Sequence, residues 1–123
     1  MTRAEVRAHE ALGAKFRLGG RDPRFGLDCV GLVAWALEAD APDGYALRGG
    51  VPERVMALLD ARLARVDAVA PGDVLLFAAG PGQLHLVLAS AHGVIHADAG
   101  LRRVVERPGV MPWPLLGAWR SVA

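Results

Sequence analysis

The chain has one cysteine, Cys29, which lies where a glycine-rich segment meets an apolar run in the sequence Asp28-Cys29-Val30-Gly31-Leu32-Val33. A thiol attacks an electrophile only as its thiolate, and the N-terminus of a helix stabilises negative charge. A cysteine in this position is therefore a candidate nucleophile. A lone cysteine is more often an inert, buried side chain, so this interpretation requires a base elsewhere in the chain.

Two histidines, His85 and His96, lie in apolar segments separated by a predicted turn at Ala91-His92-Gly93. An imidazole in such a segment is either a core histidine or a positioned base. A turn centred on His92-Gly93 or on Ala91-His92 places both histidines on one face of a hairpin, and the second register makes them diagonal neighbours roughly 7–8 Å apart. A slip of one residue would place them on opposite faces, and the sequence leaves the register open.

Thiol-dependent amide hydrolysis needs a thiolate, an imidazole that takes and returns a proton, and a polar group that orients this imidazole. Cys29, His85 and His96 can fill these roles in that order. The backbone N–H of Cys29, at the start of a helix, is a candidate donor to the oxyanion formed on attack. The histidines and the cysteine also invite a zinc site, but no pair has the short spacing of metal ligands, so we expect no metal.

The pattern of the chain predicts an α+β fold, with helices first and antiparallel strands second. Thr2 caps the first predicted helix, with Glu5 as its capping-box partner. The predicted helices run from Thr2 to about Leu12, from the cap Asp28 through a buried apolar segment, and from Pro52 to about Arg65, with loops over 13–27 and Ala39–Gly50. The predicted strands are Val74–Phe77, Leu84–Ser90, Val94–Asp98, Arg103–Arg107 and Leu115–Arg120.

The composition is that of one folded domain over residues 1–123, with 53% hydrophobic and 22% charged residues. The net charge is +1, so neither nucleic acid nor an anionic membrane surface is an expected partner. The densest basic pair, Arg102-Arg103, is interpreted as a solvated strand end. No stretch approaches the roughly 20 apolar residues of a membrane span. The N-terminus lacks the apolar region of a secretory signal, so we expect cytoplasmic synthesis without a signal peptide.

Several motifs in order resemble the NlpC family of bacterial and phage cell-wall cysteine peptidases. The most specific is Asp28-Cys29-Val30-Gly31-Leu32-Val33, which follows the run Gly13–Gly20. The others are Pro71-Gly72-Asp73-Val74-Leu75, His85 opening its strand, Val94-Ile95-His96-Ala97 and Gly117-Ala118-Trp119-Arg120. Together these motifs cover nearly the whole chain, and their shared order is stronger evidence than any one of them.

The resemblance implies a minimal papain-like fold, in which the cysteine helix packs on an antiparallel sheet that bears the histidines. It also implies a peptidoglycan endopeptidase that cleaves stem peptides, commonly between D-γ-glutamyl and diaminopimelate or lysine residues, without a metal or organic cofactor. By position Cys29 matches the nucleophile, His85 the base and His96 the orienting residue. Asp28 matches a residue that holds the amine end of the substrate.

Two positions depart from the family's pattern. Phe16 stands where members usually have a tyrosine whose hydroxyl lies near the active site, so this chain lacks one hydrogen-bond donor. The loss is expected to lower the rate or to alter a substrate subsite. Val30 replaces the common serine after the cysteine, a substitution that resembles phage-associated members.

Two other functions stay open at this point. An amidase that cuts between sugar and stem peptide would use the same three residues. A phage-derived assembly or tail component would keep the fold with weak or no hydrolase activity. Because no signal segment or wall-binding module is recognised, we expect delivery to the cell wall by a phage tail or a gene-transfer particle, whose proteins would then be partners.

Overall fold

The structure, a computed structural model, describes residues 1–42 and 46–122. Its helices are α1 (Arg3–Glu10), α2 (Cys29–Leu37) and α3 (Pro52–Asp60). Its strands are β1 (Arg21–Asp22), β2 (Gly26–Leu27), β3 (Ala64–Arg65), β4 (Val74–Gly80), β5 (Gln83–Ala89), β6 (Gly93–Asp98), β7 (Arg103–Pro108) and β8 (Leu115–Arg120). Helices precede the long strands, so the predicted α+β class is confirmed.

Six strands form one antiparallel sheet in the order β3-β8-β4-β5-β6-β7. Strands β4 to β7 pair with their sequence neighbours, and β8 returns to pair with β4. Strands β1 and β2 form a separate antiparallel pair immediately before α2. The predicted loop over 13–27 therefore contains a short ribbon, which its glycines and prolines did not indicate.

Helix α2 is apolar on nearly every side, and neighbouring elements cover it on several of them. It packs against β5 and β6 of the sheet and against α1. Leu32 of the helix and Leu88 and Ile95 of the strands are fully buried in the resulting core. Burial of each such side chain contributes about 1.5–3 kcal/mol. The predicted buried, central helix is confirmed.

The other face of the sheet is covered by a second apolar cluster. This cluster includes Phe77, Val87, Val94 and Met111, and Trp113 packs against it. Because successive side chains of a strand point to opposite faces, β5 is divided between the two clusters. Leu84, Leu86 and Leu88 belong to the α2 side, whereas His85 shares the face of Val87 and Ala89.

The predicted end of the third helix is wrong. Helix α3 ends at Asp60, and Ala64–Arg65 forms β3, which pairs with Trp119 and Arg120 of β8. The Arg65 guanidinium donates to the Asp60 carboxylate at 3.2 Å, and the Trp119 indole N–H donates to the same carboxylate at 2.8 Å. These tertiary contacts end the helix at Asp60, although the apolar residues keep a helical spacing beyond it.

The first helix begins as predicted but ends earlier, at Glu10. Thr2 Oγ1 accepts the N–H of Glu5 at 3.1 Å, as expected for an N-cap. Glu5 is 1% exposed and accepts the N–H of Ala91 at 2.9 Å, so its carboxylate ties α1 to the β5–β6 turn.

The predicted loop Ala39–Gly50 includes residues 43–45, which lie outside the described residues. In the described ranges, every helix is too short or too polar to cross a membrane.

Candidate active site

Cys29 is the first residue of α2, and Asp28 fixes the helix start. One carboxylate oxygen of Asp28 accepts the N–H of Gly31 at 2.8 Å, and also a guanidinium N–H of Arg21 at 2.8 Å. The other oxygen accepts the N–H of Gly19 at 2.8 Å. Asp28 therefore caps the helix and fastens the preceding loop to it.

Close backbone contact brings this loop against the helix. A Cβ atom on Gly31 would lie 1.9 Å from the carbonyl oxygen of Gly20, and one on Gly20 would lie 2.2 Å from that of Gly26. Only residues without a side chain allow these approaches. The glycines beside the cysteine therefore serve packing, and they set the position of the first turn of α2.

The structure brings His85 and His96 together. The β5–β6 pairs are Leu88↔Ile95 and Ala89↔Val94, which centre the turn on Ala91-His92. This is the second of the two registers that the sequence allows, and it places the histidines on one face as diagonal neighbours. His85 Nε2 lies 2.9 Å from His96 Nδ1, and the rings meet edge to face with centroids 5.2 Å apart.

A third polar residue, Asp98, extends this pair and is not among the residues predicted from the sequence. Its Oδ2 lies 3.8 Å from His96 Nε2. A carboxylate only accepts, so it favours the proton of His96 on Nε2, which leaves His96 Nδ1 as an acceptor. His85 Nε2 must then carry the donated proton, and His85 Nδ1 is left unprotonated. The spacing His96-Ala97-Asp98 would have indicated Asp98, because alternate residues of a strand share a face.

Cys29 belongs to the core on the α2 side of the sheet, whereas His85 shares the other face, and Leu86 is the described link between them. The β5–β6 pairing, in these fully described strands, ends at Leu88↔Ile95, so it does not extend to Leu86. The backbone N–H of Leu86 lies close enough to the Cys29 sulfur to lower the pKa of the thiol. Cys29 thus lies against the residue that follows His85 along the strand.

The environment of Cys29 nevertheless favours the neutral thiol. The residue is 8% exposed, and burial raises the pKa of the Cys29 thiol to about 11. The negative charge of Asp28 acts in the same direction, and the backbone N–H groups of Leu86, Val30 and Cys29 oppose it. The expected stabilisation of a thiolate by the helix start is therefore outweighed by desolvation.

Burial also favours the neutral form of both imidazoles. Desolvation, reinforced by the neighbouring His96, lowers the pKa of His85 to about 4. Desolvation lowers the pKa of His96 as well, with Asp98 opposing and Arg107 assisting this shift. At pH 7 the site holds a thiol and a neutral, unprotonated base.

Of the two aromatic residues Trp113 and Phe16, Trp113 has a described contact with an active-site histidine. Trp113 contacts the ring of His85 edge to face, with centroids 5.8 Å apart. Phe16 is half-buried, packs against the core on the α2 side, and its N–H donates to the carbonyl of Arg102 at 3.0 Å. No cluster of three or more metal-ligating side chains is found in 1–42 and 46–122.

Comparisons with known proteins add evidence on the fold. No family model and no curated protein sequence matches the chain. Among solved structures, the NlpC/p60 domain of the peptidoglycan hydrolase SagA is similar over 95% of both chains, with 22% identity and a TM-score of 0.61. An NlpC/P60 family protein from Bacillus cereus matches 98% of this chain with 22% identity and a TM-score of 0.68, and the chain spans 40% of that protein. The chain therefore has the fold of NlpC/p60 domains, as its motifs led us to expect.

Proposed function

We propose that residues 1–123 form a cysteine peptidase domain that hydrolyses amide bonds in peptidoglycan stem peptides. One observation carries the proposal: His85 Nε2 lies 2.9 Å from His96 Nδ1, and Leu86, next to His85 in the strand, belongs to the same core cluster as Cys29. A thiol, a base and an orienting group are the three parts that such chemistry needs. The named activity of SagA, a peptidoglycan hydrolase, supports the choice of substrate.

In the first step, His85 Nδ1 takes the proton of Cys29 as the sulfur attacks the carbonyl carbon of the scissile amide. Because thiol and imidazole are both neutral at rest, the proton moves during attack rather than before it. The new C–S bond converts the carbonyl oxygen into an oxyanion. The backbone N–H of Cys29 is positioned at the helix start to donate to that oxygen.

In the second step, the His85 imidazolium returns its proton to the amide nitrogen, the C–N bond breaks and the amine leaves. A thioester to Cys29 remains. Water then attacks the thioester with His85 Nδ1 as base, and the released thiolate regains a proton as the acid product departs. His96 accepts from His85 Nε2 throughout and keeps Nδ1 directed at the reaction.

The finer assignments belong to the same proposal. The bond that we propose is D-γ-glutamyl–diaminopimelate, with the amine end of the stem beside Asp28 and Phe16. The carboxylate of Asp28 accepts from Gly19, Arg21 and Gly31, so a substrate amine would have to share it with them. Phe16 would contact the substrate through its ring, because it has no hydroxyl to donate.

Digestion of purified cell-wall fragments tests the proposal. We expect wild-type protein to release fragments cut within the stem, identified by mass spectrometry, and Cys29→Ala to release none. His92→Gln is the matched control, since His92 is exposed at the turn between the strands that bear the two active-site histidines. Release of whole stem peptides would identify an amidase instead.

The buried thiol supports a second candidate, a protein of this fold with little or no hydrolase activity, such as an assembly component of a phage-like particle. A thiol with a pKa near 11 is almost entirely protonated at pH 7. A stem peptide bearing a vinyl sulfone distinguishes the two. If the protein is an enzyme, Cys29 reacts with the probe faster than a free thiol does at pH 7, and the Cys29→Ala variant is not labelled. Labelling no faster than that of a free thiol favours the assembly component.

A further inference from the structure

The fold brings basic residues from two distant segments onto the face that bears His96. Lys15 pairs with Arg103 in an antiparallel bridge between the loop before α2 and strand β7. In the β6–β7 ladder His96 faces Val105, and Arg103 and Arg107 lie two residues to either side of Val105. Alternate residues of a strand share a face, so both arginines lie on the face of His96.

These three side chains, Lys15, Arg103 and Arg107, are here called the cationic strip. All three are exposed, and in the described part of the chain no carboxylate lies within 4.0 Å of any of their charged nitrogens. Asp98 is opposite Arg103, but its Oδ1 accepts the N–H groups of Gly100 and Leu101 at 2.8 and 3.0 Å. No described ion pair therefore offsets the charges of the strip.

The arrangement works against the stability of the free protein. Like charges directly opposite each other on paired strands repel, and Lys15 and Arg103 are such a pair. Arg107 is close enough to His96 for its charge to lower the pKa of that imidazole. An anion bound on the strip would relieve the first repulsion and would lie alongside the histidine pair.

We propose that the cationic strip binds carboxylates of the peptide substrate on the sheet side of the scissile bond. The inference rests on the proposed function and specifies its substrate as a carboxylate-bearing stem. A nucleic acid fits the strip poorly, because the chain has a net charge of only +1 and the strip is three residues long. The strip also gives Arg103 a role beyond that of a solvated strand end.

Binding without turnover tests the strip separately from hydrolysis. Cys29→Ala protein is titrated with a fluorescein-labelled stem tetrapeptide whose carboxylates are free, and with the same peptide bearing carboxamides. We expect the free acid to bind more tightly, and Lys15→Gln or Arg103→Gln to weaken its binding about 3- to 5-fold each. Added salt should weaken binding of the free acid and change that of the amide little. Arg54→Gln is the matched control, because Arg54 is an exposed residue of α3.

The outcomes separate the two proposals. Equal affinity for acid and amide, or equal affinity of the strip variants and Arg54→Gln, overturns the strip even if wild-type protein hydrolyses the peptide. Preferential binding of a single-stranded DNA 20-mer overturns it as well. Binding of the free acid through the strip by a protein that hydrolyses neither peptide supports the strip and rejects the peptidase. Each variant is first shown to unfold at the wild-type temperature.

Discussion

The two sides of the candidate site are built in different ways. On the helix side, Asp28, Gly31 and Cys29 are neighbours in sequence, and the cap and the close glycine contacts hold them. On the sheet side, His85 and His96 meet only because β5 and β6 pair in one register and then part. Local interactions thus fix the nucleophile, whereas the base depends on strand pairing. The difference predicts where substitutions abolish chemistry and where they weaken the fold.

The largest effect is expected on the sheet side. His85→Gln should lower kcat about 1,000-fold, because it removes the group that takes the thiol proton. His96→Gln should cost about 10- to 100-fold, since glutamine can still accept from His85 Nε2 but lacks the second contact with Asp98. Steady-state hydrolysis of a stem peptide, with unfolding temperatures for each variant, checks the order. Equal losses at the two positions would contradict the assigned roles.

The next effect is a loss of stability on the helix side, caused by a substitution at Gly31. Alanine normally stabilises a helix relative to glycine by about 1 kcal/mol. Gly31→Ala should instead destabilise the protein by about 3 kcal/mol, because the new Cβ would overlap the carbonyl oxygen of Gly20. Urea unfolding measures the change. Gly80→Ala is the control, since its Cβ would meet only a side-chain oxygen of Gln83 at 3.8 Å, and a similar loss there would refute the packing argument.

The same contrast explains what the sequence could predict. The cap at Asp28, the buried helix and the class of the fold follow from local patterns and are confirmed. The register of the histidines stayed open because a slip of one residue exchanges the two faces of a strand. The early end of α3 could not be predicted, because Asp60 bonds Arg65 and Trp119 only in the folded chain. The pKa of Cys29 depends on burial by the whole fold.

A third effect is a dependence of stability on pH that comes from His85 on the sheet side. Burial lowers the pKa of His85 to about 4 from 6.5, so between these values the unfolded chain binds a proton that the folded chain excludes. Stability should therefore fall as pH drops from 6.5 to 4, by up to about 3 kcal/mol from this group. Urea unfolding at several pH values measures the slope. His85→Gln should flatten the slope in this range, whereas an unchanged slope would assign it to other groups.

The smallest effect concerns the charge of the cap. An asparagine in place of Asp28 would still accept the N–H of Gly31 but would lose the acceptor for the N–H of Gly19, so Asp28→Asn should lower the free energy of unfolding by about 1–2 kcal/mol. The carboxylate charge contributes to the raised pKa of Cys29, so its removal should lower that pKa. Alkylation by iodoacetamide at pH 8 should then be about 3-fold faster than in the wild type, because the rate follows the thiolate fraction. Asp22→Asn, whose carboxylate pairs with exposed Arg24, is the control. An alkylation rate unchanged in Asp28→Asn would mean that burial alone sets the thiol pKa, and that the helix side contributes position rather than charge.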